Sequence, residues 1–312
     1  MTASAIGRTA AGTRSDAELL EVVERLWRVP DRHREFVQDA QRAAREHQID
    51  AALLGQLTDL GLPSAGSASG RLYDRLDLTN AALALRLPNA RALAMRSWAG
   101  SLNSSDTQVA LEIEIGARCP SPGHAGPCSF DRSAALNAVP GYAPGPGTHD
   151  GVLRRRIDRQ SHQCLPELRE LASLARPLQY HLLPMVLRAD LGFLAETGLA
   201  DCGLAALYLT QEALARGMRA RSTFGFFLAR PYSMEHTWTE VRSGGAWVAI
   251  DPHLVNLLTD WSFLDASHWP PHRSIDGCVL RVADEDPDLI THYGAPTLLT
   301  LTTRHISEGA AR

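Results

Sequence analysis

Cys202 stands in the run Gly198-Leu-Ala-Asp-Cys202-Gly-Leu-Ala-Ala-Leu-Tyr-Leu, with His236 34 residues further along the chain and Asp251 another 15 beyond that. A thiol, an imidazole and a carboxylate in that order supply a nucleophile, a base and a group that orients the base. Cys202 would attack a carbonyl carbon, and His236 would take the thiol proton and later protonate the leaving group. Asp251 would hold the imidazole. Such a set performs acyl transfer through a thioester. A single Cys or His is ordinarily structural, so the assignment rests on the ordered trio.

The elements that must position these residues are legible around them. Leu204, Leu207, Tyr208 and Ala215 recur at helical spacing after Cys202, and Gly217 stands where a C-terminal cap would be. The thiol therefore falls in the first turn, where the helix dipole and free N–H groups favour thiolate and could bind an oxyanion. Asp201 is expected to cap that helix. Residues 218–228 read as a strand entering a buried sheet. In Glu235-His-Thr-Trp-Thr-Glu240-Val, the period of two places His236, Trp238 and Glu240 on one face. Ser243-Gly-Gly245 is a tight-turn signal, and Ala246–Ile250 is a third strand that ends at Asp251-Pro252. A hairpin of the last two strands brings His236 and Asp251 together. Trp238, Trp247 and Glu240 read as packing or strand-pairing residues.

This stretch, residues 198–255, resembles the core of the transglutaminase-like superfamily through Cys202, the Glu-His-Thr-Trp-Thr-Glu-Val strand and Gly-Gly-Ala-Trp-Val-Ala-Ile-Asp-Pro. The resemblance implies an α+β fold with a papain-like Cys-His-Asp site. A helix bearing the Cys packs on an antiparallel sheet that bears the His and Asp, here preceded by a mainly helical N-terminal region. It matches Cys202 to the family nucleophile, His236 to its His-x-Trp strand, Asp251 to its Asp-Pro strand end and Gly225 to the glycine of the strand after the helix. Ala200 departs from the family glycine two residues before the Cys, which would narrow the approach to the thiol. No residue matches a second oxyanion donor. The resemblance further implies a cysteine hydrolase or acyltransferase. Its substrate would be a small-molecule, peptide or carrier-bound acyl group, in specialised-metabolite or modified-peptide biosynthesis. The chain lacks the extra β-sandwich domains of large cross-linking members. A second reading keeps the fold as a binding or scaffolding module with an inactive triad.

The chain divides on composition into a helical region at 1–105, a Pro/Gly-rich irregular connection with one possible strand at 106–163, a catalytic domain at 164–305 and a tail at 306–312. Ser15-Asp-Ala-Glu18 is a capping box ahead of the stripe Leu19, Val22, Val23 and Leu26. A second helix is expected from Asp31 through Gln48, and a third follows an Asp50 cap. Residues 66–70 read as a linker, and residues 74–102 as two helices broken at Pro88. Residues 165–197 are expected to be helical and to pack beneath the Cys202 helix. His181 reads there as a core residue. Val279–Val282 and Thr297–Thr302 are candidate closing strands, and the aromatic stretch between Trp261 and His272 could line a groove.

Thirty-one basic against thirty-five acidic residues leave a net charge of −4 and no footprint for nucleic acid. Arg154-Arg-Arg156 with Arg159 reads as a solvated face able to attract an acidic carrier or a phosphate. No 18-residue apolar run and no N-terminal signal core occur, which points away from a membrane and to the cytoplasm. Five cysteines, an odd number, argue against a complete disulfide framework. Cys119, His124 and Cys128, with His162 and Cys164 beyond, contain metal-binding residue types. Their spacing is not that of the tight Cys-x₂₋₄-Cys knuckles of structural zinc. They read as an ordinary loop, with no metal and no cofactor expected.

Overall fold

A computed structural model describes residues 14–67, 70–106, 108–120, 124–158 and 163–306, which fall into two compact units divided between Leu93 and Ala94. The chain mixes helix and sheet throughout.

The first unit runs α1 (Asp16–Trp27), β1 (Phe36–Gln38), α2 (Ala40–His47), α3 (Ala51–Asp59), β2 (Ser64–Ala65), β3 (Leu72–Asp74) and α4 (Arg75–Ala84). The capping box at Ser15 forms as expected, with the Ser15 side chain accepting from Glu18 N and the Glu18 carboxylate accepting from Ser15 N. Leu19, Val22, Val23 and Leu26 face a core completed by Ile49, Leu54, Leu57, Tyr73 and Leu78. The single helix expected over 31–48 is instead a short 3₁₀ turn at Asp31–His33, then β1, then α2. Two aspartates cause the break. Asp74 accepts from Glu35 N at 2.8 Å and holds this segment extended beside β3, and Asp39 restarts the helix by accepting from Arg42 N at 2.8 Å. Of the expected linker at 66–70, Gly66, Ser67 and Gly70 lie between β2 and β3, and residues 68–69 lie outside the described residues. In this unit β3 lies between β1 and β2, and a short αL turn at Gln48 joins α2 to α3. Helix α3 contains neither Lys nor Arg.

The second unit contains α5 (Ala90–Leu102, which begins in the first unit), β4 (Gln108–Ala117), β5 (Phe130–Arg132), α6 (Ala134–Asn137), β6 (Tyr142–Pro144) and β7 (Asp150–Asp158). It continues with α7 (Arg169–Ser173), β8 (Gln179–Tyr180), α8 (Leu191–Thr197), β9 (Leu199–Ala200) and α9 (Cys202–Ala215). Then follow β10 (Ala220–Phe227), β11 (Tyr232–Ser243), β12 (Ala246–Ile250), α10 (Pro252–Asp260) and β13 (Val279–Ala283). The last elements are β14 (Ile290–His292), β15 (Ala295–Pro296) and β16 (Leu299–His305).

The main antiparallel sheet has the order β13-β10-β11-β16-β4-β7-β6, with β12 also on β11. The stretch 106–163, expected to be mostly irregular, thus supplies three of its strands. Buried Glu112 explains why an arginine-rich segment forms a strand: its cross-strand neighbours are Arg154 and Arg304, whose Nε atoms donate to it at 2.7 and 2.8 Å. Arg154 is therefore engaged within the sheet. Arg159 and His162 lie outside the described residues, as does the tail beyond Ile306. Residues 165–197 are helical only at α7 and α8 and in two 3₁₀ turns. Pro166, Pro177 and Pro184 recur too closely for longer helices. Leu168 and Leu171 do pack with Leu209 and Ala213 of α9, against Val241, Val248 and Ile250 of the sheet. No described helix is long and apolar enough to cross a membrane.

Candidate active site

The backbone leading into Cys202 is held on both sides. Gly198 ends α8 in the left-handed region, at φ +70°, and turns the chain into β9, which runs parallel to β8. The Ala200 carbonyl accepts from His181 N–H at 2.9 Å and from His253 Nε2 at 3.1 Å. Ala200 is fully buried. Asp201 caps α9 as expected, accepting from Leu204 N at 3.1 Å, and forms an ion pair with Arg188 Nε at 2.9 Å. Burial raises the Asp201 pKa against the opposing effect of Arg188. Because Asp201 occupies the Leu204 N–H, that donor is not offered to a substrate oxyanion.

His236 lies on β11 opposite Gly225 of β10. A Cβ at Gly225 would sit 2.0 Å from the Leu280 carbonyl oxygen of β13 and 2.9 Å from the Trp238 ring. Glycine is required there because three strands close up beneath the imidazole. Phe227 meets the His236 ring edge-on at 5.8 Å, and Trp238 lies nearly parallel to it at 6.3 Å.

Asp251 follows β12, whose last residue, Ile250, is paired with Thr239 of β11. The connecting turn uses Gly244 and Gly245, both at positive φ. The Asp251 carboxylate has two partners. Its Oδ1 accepts from Leu254 N at 2.9 Å and caps α10, while Oδ2 lies 2.7 Å from His236 Nε2. Both side chains are almost completely buried. With Nε2 occupied by Asp251, the buried Nδ1 is left without a hydrogen-bond partner. Burial alone would lower the His236 pKa. The electrostatic influence of Cys202, with the hydrogen bond to Asp251 and the charge of Asp251, outweighs it and raises the value to about 10. The structure thus brings His236 and Asp251 into contact, and Cys202 lies close enough to affect the imidazole electrostatically.

Other side chains at this centre carry no signal of their own in the sequence. Arg188 fixes the Asp201 cap, and buried His253, near Tyr180 at 5.7 Å between ring centroids, braces Ala200. Burial lowers the His253 pKa, favouring a neutral ring that donates to the carbonyl. Beside His236 on β11, Glu235 is raised to about 7 by burial and by Asp286. The adjacency of His253 to Asp251-Pro252 was the one available clue. Glu240 forms an ion pair with its cross-strand neighbour Arg221, which lies over the Trp247 ring at 4.3 Å. These three serve strand pairing.

No family model matches the chain, and the comparison with curated proteins finds no match. Among solved structures, the chain is similar to a protein from Cytophaga hutchinsonii described as a candidate cysteine protease. Identity is 11%, the TM-score is 0.34, and the match covers 64% of this chain and 89% of that one.

Proposed function

We propose that the protein is a cysteine-dependent acyl-transfer enzyme with a transglutaminase-like core, using Cys202 as nucleophile, His236 as acid–base and Asp251 as the orienting carboxylate. The observation that carries this reading is the buried 2.7 Å contact between His236 Nε2 and Asp251 Oδ2, on an imidazole close enough to Cys202, the first residue of a helix, to respond to its charge.

In the reaction, the Cys202 sulfur attacks an amide or thioester carbonyl and the tetrahedral intermediate collapses to a thioester. His236 gives its proton to the departing amine or thiol. It then accepts a proton from the incoming water or amine, which attacks the thioester and releases Cys202. Water as acceptor makes the protein an amidase or peptidase, and an amine makes it an amide-forming acyltransferase. The substrate is a small-molecule, peptide or carrier-bound acyl group.

Wild type and Cys202→Ala are incubated with pools of peptides and acyl thioesters, with and without added amines, and followed by intact-mass spectrometry. Wild type is expected to gain an acyl adduct mapping to Cys202, which its variant lacks. The released product identifies the acceptor. Equal turnover by both chains would refute the assignment, whereas the absence of any adduct or turnover across the pools would favour the inactive binding module.

A further inference from the structure

Cys119, His124 and Cys128 lie in the loop between β4 and β5, and His292 ends β14, 164 residues beyond Cys128. The fold brings the four together because β14 pairs with β5 and sets His292 directly opposite Phe130. One ligand atom from each residue lies within 4.8 Å of all the others. None of the four belongs to the candidate triad.

Two further observations favour a metal over a chance gathering of polar groups. First, His292 is buried, and its Nε2 has no hydrogen-bond partner although it is shielded from water. An orphaned imidazole nitrogen is costly unless something binds it. Second, His124 has the arrangement of a metal-ligating histidine. Its Nδ1 lies 3.1 Å from the Ala125 carbonyl, so that nitrogen carries the proton and Nε2 is left with a lone pair, 3.4 Å from Cys128 Sγ. Zinc bonds of about 2.0–2.3 Å to N and S place tetrahedral ligand atoms about 3.3–3.8 Å apart. The observed His124–Cys128 spacing falls in that range, and the others need an adjustment on the order of 1 Å. The walls are also built. Tyr293 packs edge-on to His124 at 5.6 Å, its hydroxyl donates to the Pro127 carbonyl, and its N–H donates to Ser129 O at 3.1 Å.

We propose that Cys119, His124, Cys128 and His292 form a structural zinc site that clamps the Pro/Gly-rich loop to strand β14. Two thiolates and two imidazoles suit Zn²⁺ among the common divalent ions. Four protein ligands fill the tetrahedron, so the metal has no open position for water or substrate and its role is architectural. On binding, the two cysteine thiols release their protons to solvent.

The full-length chain, purified from zinc-supplemented culture under mild reductant, is assayed for metal by mass spectrometry. One zinc per chain is expected. Cys128→Ser and His292→Gln should lose it, whereas Cys202→Ala and Cys164→Ser should keep it, which separates this site from the candidate active site and from an unrelated exposed thiol. Replacing zinc by Co²⁺ in the wild-type chain should give thiolate charge-transfer and strong tetrahedral ligand-field bands. That readout does not depend on how well the variants fold. Metal-free wild type that gives no such bands would overturn the proposal. Retention of zinc by both ligand variants, loss of zinc in Cys202→Ala, or a metal-free chain with Cys119 and Cys128 joined in a disulfide would overturn it equally.

Discussion

At the scale of single residues, His236 carries the most testable electrostatics. Its pKa is raised from 6.5 to about 10, so protonated His236 stabilises the folded state below pH 6.5. That contribution is lost as pH rises through about 10. NMR of ring-labelled histidine should therefore find an imidazolium at pH 8 in wild type and a lower titration in Cys202→Ala, where the sulfur's charge is gone. A neutral His236 at pH 8 in wild type would contradict the pairing. Asp251 separates orientation from support, since one oxygen serves the imidazole and the other caps α10. Asp251→Asn keeps a capping oxygen and presents an amide to Nε2. It should keep the α10 cap but lose the charge that faces the buried imidazole, so the His236 pKa should fall and acyl transfer drop on the order of a hundredfold or more. Asp251→Ala should in addition lose about 1 kcal/mol of cap energy, seen in urea unfolding. Equal activity of Asp251→Asn and wild type would remove Asp251 from the mechanism.

At the scale of elements, three strands meet at Gly225 with no room for a methyl. Gly225→Ala should cost about 2–3 kcal/mol in denaturant midpoint and separate β13 from β10, with faster amide exchange along both strands; an unchanged midpoint would mean the close approach is dispensable. What the sequence made legible follows from range. Helix α9 and strands β10–β12 could be read because their signals are local: a cap at Asp201, a period of two around Trp238 and a diglycine turn. Strand β1 could not, because it is three residues long and is held extended by Asp74, far along the chain. Strand β7 was hidden behind its arginines, of which Arg154 makes sense only once Glu112 of the neighbouring strand is seen opposite it. In the candidate site the ordered trio was visible by residue type, whereas Arg188 and His253 act through tertiary contacts. His292 escaped notice for the same reason, being far in sequence from the loop it joins.

At the scale of the whole molecule, each unit has its own apolar core. The first is centred on Leu19, Leu57 and Leu78, and the second includes the cluster of α9 with β11 and β12. The helix–strand–helix–helix–strand–strand–helix order of the first unit was not evident from composition, because its strands are two or three residues long. Leu57 is fully buried, so Leu57→Ala should cost about 2–5 kcal/mol within that unit. Hydrogen exchange should accelerate in α1, α3 and α4, while the alkylation rate of Cys202 stays the same. Matching acceleration in α9 and β11 would mean that the two units unfold as one.

The most direct test of the central claim is the rate at which each thiol reacts with iodoacetamide at pH 6 and pH 8, read by peptide mass spectrometry. Cys164 is exposed and serves as the ordinary thiol in the same chain. The account predicts that Cys202 reacts faster than Cys164 at pH 6 and that His236→Ala abolishes this advantage. A Cys202 that reacts no faster than Cys164 at pH 6, or equally fast with and without His236, would contradict it.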